Sequence, residues 1–264
     1  MTLFATQGLT YRYDRLTAIE DLALAIDEGS RVALVGANGS GKSTLLRILD
    51  GLYFGQAGTV RFRGDELTEA RFADDAFAFS FRRQVGLVFQ NPDVQLFNPT
   101  VFDEVAFGPL QLGWSKADVC DRVRETLDRF GIAHLKDRVP HRLSGGEKKR
   151  VALASVLVLD PAVLLLDEPT AALDPRSQSQ VIDLLVAWGG GAKSVITATH
   201  NLADLEDIAD RCLVLDRGRI VAEAAPTEIL RDRELLERSN LVHAHRHRHR
   251  PGDFHSHPHV HPSE

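Results

Sequence analysis

The stretch RVALVGANGSGKSTLLRIL, residues 31–49, decides the fold of this chain. It opens with an apolar run, passes through a glycine-rich loop and continues with helical periodicity, which predicts a strand, a tight turn and a helix. Residues 36–43 within it, GANGSGKS, fit the pattern G-x-x-x-x-G-K-[ST] of a phosphate-binding loop. Glycines let such a loop curl until successive backbone N–H groups point inward, and the following helix adds its positive end. The stretch therefore predicts a polyphosphate site on an α/β core.

The residues of this loop have distinct expected roles. Lys42 is expected to reach the β- and γ-phosphates of a nucleotide, and the Ser43 hydroxyl to ligate Mg²⁺. The other candidate contacts lie in the loop or in the first helical turn: Gly36, Ala37, Asn38, Gly39, Ser40, Gly41 and Thr44. A glycine-rich turn with a chance lysine is disfavoured, because the motif is complete and lies between a strand and a helix. The motif leaves open what nucleotide hydrolysis drives, since many functions share it.

The composition places the chain among ordinary soluble domains. It has 264 residues, of which 44% are hydrophobic and 26% charged, and its net charge of −6 disfavours general nucleic-acid binding. No apolar run approaches the ~18 residues that cross a bilayer, and the N-terminus does not resemble a secretory signal. Cys120 and Cys212 lie in apolar-periodic segments without a partner spacing, which favours two buried thiols in a reducing compartment. We therefore expect a cytoplasmic protein.

The pattern along the chain predicts a helical insertion in an α/β protein. Segments LTYRY (9–13) and GTVRFRG (58–64) are typical of half-buried strands near the N-terminus. Residues 92–159 have a helical pattern. One amphipathic helix within this segment has a face formed by Val119, Val123, Leu127 and Phe130. Apolar runs typical of buried parallel strands occur in AVLLLDE (162–168), KSVITATH (193–200) and CLVLD (212–216).

A pair of acidic residues ends the first of these later strands. Asp167 and Glu168 are expected at the carboxyl edge of the parallel sheet, where such sheets bind ligands. Next to phosphates, Asp167 would hold the Mg²⁺ shell and Glu168 would polarise an attacking water. His200, at the end of another strand, would hold that water or the γ-phosphate in line. The alternatives are an acid pair at a helix N-terminus and a structural histidine.

The segment LSGGEKKRVALA, residues 143–154, predicts a helix with an unusual start. Ser144 and Glu147 form the S-x-x-E pattern of a capping box. Gly145 and Gly146 would leave the first-turn N–H groups uncovered, which gives an anion site at the positive end of the helix. Capping alone does not explain two glycines, because most residues stabilise a helix better there.

Together these motifs resemble the nucleotide-binding subunits of ATP-binding-cassette (ABC) proteins. The resemblance covers approximately residues 3–230 and rests on motifs that occur in the family's order: the phosphate loop, Gln90 in VFQNPDVQLF, LSGGEKKR, LLLDEPT, AALDP and His200. It implies that Ser144, Gly145 and Gly146 close on ATP held by a second ATPase subunit. It also implies that Tyr13 stacks on adenine, that Gln90 contacts Mg²⁺ and reports the nucleotide state, and that Asp174 lies at the dimer seam.

The implied fold is a P-loop ABC ATPase core with an N-terminal antiparallel β subdomain and an inserted helical subdomain. We expect the ATPase domain to span residues 1–241, with the helical subdomain at about 92–159. Two positions depart from the family's usual residues. Glu147 replaces a glutamine, and Asn201 follows the histidine where aspartate is common. Neither departure removes a proposed ligand.

Two further segments resemble one branch of the family. Residues 90–113, QNPDVQLFNPTVFDEVAFGPLQLG, and residues 140–154 are similar to the ATPases of energy-coupling-factor importers for cobalt and nickel. The resemblance implies a homodimer or paralogue heterodimer on the cytoplasmic face of the membrane, below integral scaffold and substrate-capture proteins. The alternatives are an importer of zinc or of an organic micronutrient and, from another class, a non-transport ABC ATPase. Non-transport members usually carry two cassettes or a long coiled coil, and this chain has room for neither.

A cluster of prolines and aromatic residues follows Gln90. Two interpretations stay open for it, a groove that receives a partner helix and packing of the helical subdomain. The residues concerned are Pro92, Phe97, Pro99, Phe102 and Phe107.

The C-terminal segment, residues 242–264, is rich in histidine and poor in apolar residues, which predicts a disordered tail. Imidazole binds Ni²⁺, Co²⁺, Zn²⁺ and Cu²⁺, so the tail is a candidate site for nickel or cobalt. The alternative is a solvated basic tail that favours anionic lipid. Alternating positions place these candidate ligands on one side of an extended chain: His243, His245, His247, His249, His255, His257, His259 and His261.

Overall fold

The computed structural model describes residues 1–188, 192–250 and 253–259, with side chains for 1–188 and 192–242. The strands are β1 (Thr2–Tyr13), β2 (Leu16–Asp27), β3 (Arg31–Val35), β4 (Ala57–Phe62), β5 (Asp65–Glu66), β6 (Val85–Val88), β7 (Val163–Asp167), β8 (Ser194–Thr199), β9 (Arg211–Asp216), β10 (Arg219–Ala224), β11 (His243–Arg250) and β12 (Asp253–His259). The helices are α1 (Lys42–Leu49), α2 (Glu69–Phe72), α3 (Asp75–Gln84), α4 (Val101–Gln111), α5 (Lys116–Arg129), α6 (Gly145–Leu157), α7 (Pro175–Trp188), α8 (Leu205–Ile208), α9 (Pro226–Arg231) and α10 (Arg233–Arg238).

The N-terminal strands form an antiparallel sheet in the order β2-β1-β4-β5. Its two long strands pair in a register that places Ala5 opposite Ala25. In β2 the side chains of Leu22, Leu24 and Ile26 are buried and those between them are exposed, so one face covers the core and the other faces solvent. The predicted antiparallel β subdomain is confirmed.

The core sheet has the order β10-β9-β3-β8-β7-β6. Its strands are parallel except for β10, which pairs antiparallel with β9 at one edge. Every residue of β7 and β8 is buried, as expected for central strands covered on both faces. Because the strands are parallel, the segments that follow β3, β6, β7 and β8 meet at one edge of the sheet.

The helices between β6 and β7 occupy the segment predicted to be helical. The predicted amphipathic helix is α5, which buries Val119, Val123 and Leu127, and Phe130 is buried directly after it. These residues share one hydrophobic cluster with Leu164 of β7, so the helical region packs on the core sheet without a separate core. Helices α2 and α3, before β6, were not predicted, because their aromatic residues do not follow a clear helical period.

Four phenylalanines attach α2 and α3 to the antiparallel sheet. Phe72 packs edge-on against Phe77 and Phe81, with ring centroids 5.3 and 5.0 Å apart. Phe81 in turn meets Phe62 of β4 at 5.2 Å. Contacts between distant segments therefore order this region where local periodicity does not.

The cysteines differ in exposure. Cys212 in β9 is fully buried, and burial raises the pKa of its thiol to about 11. Cys120 in α5 is only half-buried, so the expectation of two buried thiols is wrong for this residue. Its position falls next to Val119 on the edge of the apolar face of the helix.

The backbone of the C-terminal segment forms the antiparallel pair β11 and β12, in which His243 lies opposite His259. An isolated two-stranded hairpin is marginally stable in water, so disorder of residues 242–264 stays a prediction. The side chains of the tail histidines lie outside the described part of the chain, and so does all of His261. Among the helices described, none has the length and apolar character that a membrane-spanning helix requires.

Candidate functional site

The phosphate loop connects β3 to α1 in a conformation that requires its glycines. Gly39 and Gly41 have φ angles of 81° and 108°, in the left-handed region that glycine tolerates best. A Cβ atom on Gly41 would lie 2.5 Å from the Ala18 carbonyl oxygen. Helix α1 begins at Lys42 without a side-chain cap, so its first-turn N–H groups are left for a ligand. The loop is therefore a backbone cradle at the positive end of a helix, as predicted.

Lys42 extends back over this loop. Its ammonium donates to the carbonyl oxygens of Gly36 at 2.6 Å and Ala37 at 3.2 Å, and it lies 3.6 Å from Glu168 Oε1. Burial lowers the pKa of Lys42, and the nearby carboxylates of Glu168 and Asp167 oppose that shift. A charged donor is thus held where phosphate oxygens would lie in such a loop.

Ser43 and Asp167 come together from α1 and β7. The Ser43 hydroxyl donates to Asp167 Oδ1 at 2.9 Å. Burial raises the pKa of Asp167, and the hydrogen bond from Ser43 lowers it. A hydroxyl and a carboxylate beside a phosphate cradle are hard oxygen ligands of the type that Mg²⁺ prefers, so these residues fit the ion. The hydroxyl of Ser40 in the same loop is buried and has no hydrogen-bond partner among the described residues.

Glu168 and His200 form a second pair at the ends of β7 and β8. Glu168 Oε1 lies 2.8 Å from His200 Nδ1, and Glu168 Oε2 accepts the backbone N–H of His200 at 3.4 Å. Glu168 is buried at 5% exposure, whereas His200 is half-buried. The pair therefore joins a shielded carboxylate to an imidazole that reaches solvent, an arrangement suited to orienting and deprotonating a water.

One cavity of about 410 Å³ joins nine of the predicted residues. At one end Tyr13 is 37% exposed and its hydroxyl lies 3.2 Å from Thr44 Oγ1, which leaves an aromatic ring beside the cavity. Tyr11 supports this ring edge-on, with centroids 5.0 Å apart. Predicted residues that line the cavity are Tyr13, Asn38, Gly39, Gly41, Lys42, Ser43, Thr44, Gln90 and Glu168.

Gln90 lies at the boundary of this cavity. It follows β6, is exposed, and also lines a second cavity of about 310 Å³ together with Gly145. The lining of the phosphate-loop cavity, as far as the chain is described, includes neither Gly145 nor Gly146. The predicted anion site at the start of α6 is thus separate from the phosphate loop within one chain.

The start of α6 is the predicted capping box. The Ser144 hydroxyl accepts the Glu147 backbone N–H, and Glu147 Oε2 accepts the Ser144 backbone N–H at 2.8 Å. A Cβ atom on Gly145 would meet no atom within 4 Å, but one on Gly146 would lie 2.6 Å from Ser177 Oγ. Gly146 therefore also has a packing role within the chain, because the absence of a side chain there makes room for α7.

Asp174 has a role in the chain that the sequence analysis did not consider. It precedes α7, and its Oδ2 accepts the Ser177 hydroxyl at 2.6 Å while its Oδ1 accepts the Ser177 backbone N–H at 3.1 Å. The Ser177 hydroxyl lowers the pKa of the Asp174 carboxyl. Its location at a dimer seam stays a prediction.

Lys149 was missed by the sequence analysis. It is 2% exposed, and its ammonium donates to the carbonyl oxygens of Phe89, Gln90 and Glu168. Burial lowers its pKa to about 8. Its burial could have been predicted from helical spacing. Lys149 precedes the apolar residues Ala152 and Leu153 by three and four positions, so it lies on the buried face of the helix.

Comparison with known proteins agrees with this geometry. Residues 19–171 match the family model described as ABC transporter. The chain belongs to this family. The nickel import ATP-binding protein NikO of Rhodobacter capsulatus is 52% identical over 242 residues, which cover 90% of this chain and 95% of NikO.

Two solved structures are also similar. The structure of cbiO1 from Clostridium perfringens, described as part of the ABC transporter complex cbiONQ, has a TM-score of 0.76 and 35% identity, covering 91% of this chain and 95% of cbiO1. The ATP-binding cassette MJ0796, a dimer in a post-hydrolysis state bound to ADP and Pi, has a TM-score of 0.76 and 26% identity, covering 85% and 99%. The predicted family, the ABC ATPase fold and the ATPase activity are thereby confirmed.

The tail histidines are not tested by these comparisons. Within residues 1–188 and 192–242, whose side chains are described, no group of three or more His, Cys, Asp or Glu residues is arranged to hold a metal ion. The predicted nickel or cobalt ligands lie beyond this part of the chain, from His243 onward.

Proposed function

We propose that this chain is the ATP-hydrolysing subunit of a nickel or cobalt importer of the energy-coupling-factor type. In this proposal it pairs with a second ATPase subunit on the cytoplasmic face of the membrane, below separate scaffold and substrate-capture proteins. The observation that carries the ATPase role is the single cavity that joins the phosphate loop, Ser43 and Glu168. Support for the cargo comes from the 52% identity to a nickel import ATPase over almost the whole chain.

The residues in and around the cavity have separate roles in ATP hydrolysis in this proposal. Lys42 and the loop N–H groups bind the β- and γ-phosphates, and the ring of Tyr13 stacks on the adenine. Ser43, Asp167 and Gln90 hold Mg²⁺, which supplies positive charge to the phosphate oxygens when bound. The Glu168 carboxylate accepts a proton from the attacking water, and His200 holds that water or the γ-phosphate in line.

A second subunit completes the site in this proposal. Gly145 and Gly146 at the start of α6 offer uncovered N–H groups beside the Ser144 hydroxyl, and the open surface at Gly145 leaves them accessible, whereas the Ser144 N–H is already bonded to Glu147 Oε2. These groups bind the γ-phosphate held by the partner, and Asp174 lies at the seam between the two chains. Dimer closure then brings a donor set to each ATP that one chain alone does not place there.

Exposed aromatic residues after Gln90 support docking to a membrane subunit. Phe97 is 62% exposed and Phe107 is 38% exposed, and their rings meet edge-on at 5.0 Å. Phe102 is instead half-buried against the helical core, so packing accounts for it. The backbone of Phe97 is fixed by the buried carboxylate of Glu104, whose Oε2 accepts its N–H at 2.8 Å. A rigid pair of exposed rings suits the apolar face of a helix from a membrane partner.

The tail is proposed to bind the transported ion or its competitors near the membrane. Alternating imidazoles supply ligands that suit Ni²⁺ and Co²⁺, without selecting one of them. Removing residues from His243 onward is expected to lower the stoichiometry of bound nickel in equilibrium dialysis and to leave ATP hydrolysis unchanged. An unchanged stoichiometry would contradict the tail site alone.

Two measurements test the proposed function directly. Purification from membranes in detergent is expected to recover integral scaffold and capture proteins, which mass spectrometry identifies. The recovered complex in vesicles is expected to take up ⁶³Ni²⁺ or ⁵⁷Co²⁺ only with ATP. Uptake of zinc or of an organic micronutrient instead would support the alternative importer, and recovery of ribosomal or DNA partners would refute the transport role.

A further inference from the structure

The side chain of Lys149 is buried within a ring of backbone carbonyl groups. Its Nζ donates to the carbonyl oxygens of Phe89 at 3.1 Å, Gln90 at 3.1 Å and Glu168 at 3.4 Å. A lysine ammonium has three N–H donors, and here three acceptors match them. Burying a charged group is costly unless it is hydrogen-bonded in this way, so the position of the ammonium is strongly determined.

The three carbonyl groups belong to the two segments that carry site residues. Phe89 and Gln90 directly follow β6, and Glu168 directly follows β7. Lys149 itself lies in α6, one turn after Gly145 and Gly146. One side chain thus joins the start of α6 to the backbone of both Gln90 and Glu168.

Gln95 provides a second link between the same elements. Its Oε1 accepts the Phe89 backbone N–H at 3.2 Å, and its Nε2 donates to the Ala152 carbonyl oxygen of α6 at 2.9 Å. Both polar backbone groups of Phe89 are therefore connected to α6. Its carbonyl oxygen accepts from Lys149, and its N–H is linked to α6 through Gln95. The segment that leads into Gln90 moves with α6 as long as these bonds persist.

We propose that Lys149 is a positioning residue for ATP hydrolysis, whose ammonium fixes Gln90 and Glu168 relative to the start of α6. When the nucleotide of a partner subunit binds Gly145, a movement of α6 is then transmitted through the buried Lys149 ammonium. It reaches Glu168, the proposed base, and Gln90, a proposed Mg²⁺ ligand. This inference rests on the roles proposed above for Gln90 and Glu168. It adds a residue that does not itself line the nucleotide cavity and that contacts Gln90 and Glu168 through their backbone carbonyl groups, not their side chains.

The neighbouring lysine supplies a matched control. Lys148 Nζ lies 2.7 Å from Asp93 Oδ1, on a carboxylate that is half exposed. Lys148 therefore also ties α6 to the segment after β6, but by a partly exposed ion pair with Asp93 and not by contacts to Gln90 or Glu168. Replacing either lysine by methionine removes the same charge from the same helical turn and keeps the unbranched carbon chain.

The experiment compares Lys149→Met, Lys149→Gln and Lys148→Met in the full-length chain. Lys149→Met is expected to lower kcat at saturating ATP at least about tenfold, because small misplacements of catalytic groups have large effects on rate. The Kd for MgATP should stay within about twofold, since the phosphates bind residues 36–43. Lys149→Gln retains two N–H donors and should lose only about threefold in kcat. Lys148→Met should retain the kcat of the parent chain.

Hydrogen exchange adds a readout that does not depend on turnover. Amides of residues 88–91 and of Glu168 and Thr170 are expected to exchange faster in Lys149→Met than in Lys148→Met, at temperatures well below the Tm of both. A role confined to folding would lower the Tm of Lys149→Met and leave kcat and local exchange unchanged.

Several results would overturn the proposal: a kcat of Lys149→Met within about twofold of the parent, an equal loss of kcat in Lys148→Met, or a loss explained by weaker MgATP binding. If Lys149→Met does not fold, the same measurements are made on Lys149→Gln. An unchanged kcat in Lys149→Gln then refutes the proposal. Glu168→Gln is measured in parallel. Normal hydrolysis in that variant would refute the proposed base, whereas the exchange rates test the Lys149 link by themselves.

Discussion

Alanine substitutions at the two glycines that begin α6 distinguish an effect on stability from an effect on ATP hydrolysis, because each adds a single methyl group. A Cβ atom at Gly145 would meet no atom within 4 Å, so Gly145→Ala introduces no clash within the chain. Alanine is favoured over glycine in a helix interior by about 1 kcal/mol, so the free energy of unfolding is expected to stay the same or rise slightly. If the N–H groups here bind the partner's γ-phosphate, the methyl group blocks that approach.

The expected loss of stability in Gly146→Ala follows from the short distance between Gly146 and α7. A new Cβ atom there would lie 2.6 Å from Ser177 Oγ and 3.1 Å from Ser177 Cβ. Ser177 would have to turn away from Asp174, which loses a hydrogen bond that contributes about 1 kcal/mol. Overpacking adds a cost of about 1–3 kcal/mol, and the gain in helix propensity offsets about 1 kcal/mol. Gly146→Ala is therefore expected to lose about 2 kcal/mol, or about 4–8 °C in Tm.

The assay measures thermal unfolding, ATP hydrolysis and dimer formation for both variants. Gly145→Ala is expected to keep its Tm and its Kd for MgATP while kcat falls by about 100-fold, the order found when a transition-state N–H donor is lost. In a Glu168→Gln background, the same substitution should reduce the ATP-dependent dimer seen by light scattering. Parent-like hydrolysis in Gly145→Ala would refute the reasoning. A lowered Tm in that variant would show that the space at Gly145 is not open.

Three further predictions concern other parts of the molecule. Glu168→Gln should bind MgATP normally, hydrolyse it at least about 100-fold more slowly and accumulate as a dimer, and parent-like turnover would contradict its role as the base. At pH 7.5 a maleimide should label half-buried Cys120 but not Cys212, whose thiol is buried and has a pKa of about 11, until denaturant is added; mass spectrometry distinguishes the sites. Phe97→Ser together with Phe107→Ser should leave ATP hydrolysis of the isolated chain unchanged but reduce recovery of membrane subunits, and full recovery would argue against docking at these rings.

Sequence motifs predicted the polar groups that come together at the candidate site, because the proposed chemistry needs particular residue types at fixed spacing. The loop at residues 36–43, the pair Ser43 and Asp167, and the pair Glu168 and His200 all lie where the pattern placed them. The order of strands in the core sheet did not follow from spacing, because the pairing of β3 with β8 joins segments far apart in the chain.

Internal contacts were the part that sequence patterns did not predict. Gly146 was grouped with Gly145 because adjacent glycines look alike in a sequence, yet only one of them has Ser177 against it. Lys149 was missed for a related reason. Its acceptors are backbone carbonyl groups, which every residue carries, so no residue type marks the partner of a buried lysine.

Glu168 shows how such internal contacts shape the site. Its φ angle of 46° lies in the left-handed region, which is unfavourable for a residue with a long side chain and costs of the order of 1–3 kcal/mol. Two bonds hold the backbone there: its N–H donates to the Ala198 carbonyl oxygen at 2.9 Å, and its own carbonyl oxygen accepts from Lys149. The strained turn at the end of β7 directs the carboxylate to His200 Nδ1, 2.8 Å away, and to Lys42, 3.6 Å away. The acid is therefore placed by its neighbours' backbone and by one buried ammonium, which is why its position depends on α6 as well as on the strand that carries it.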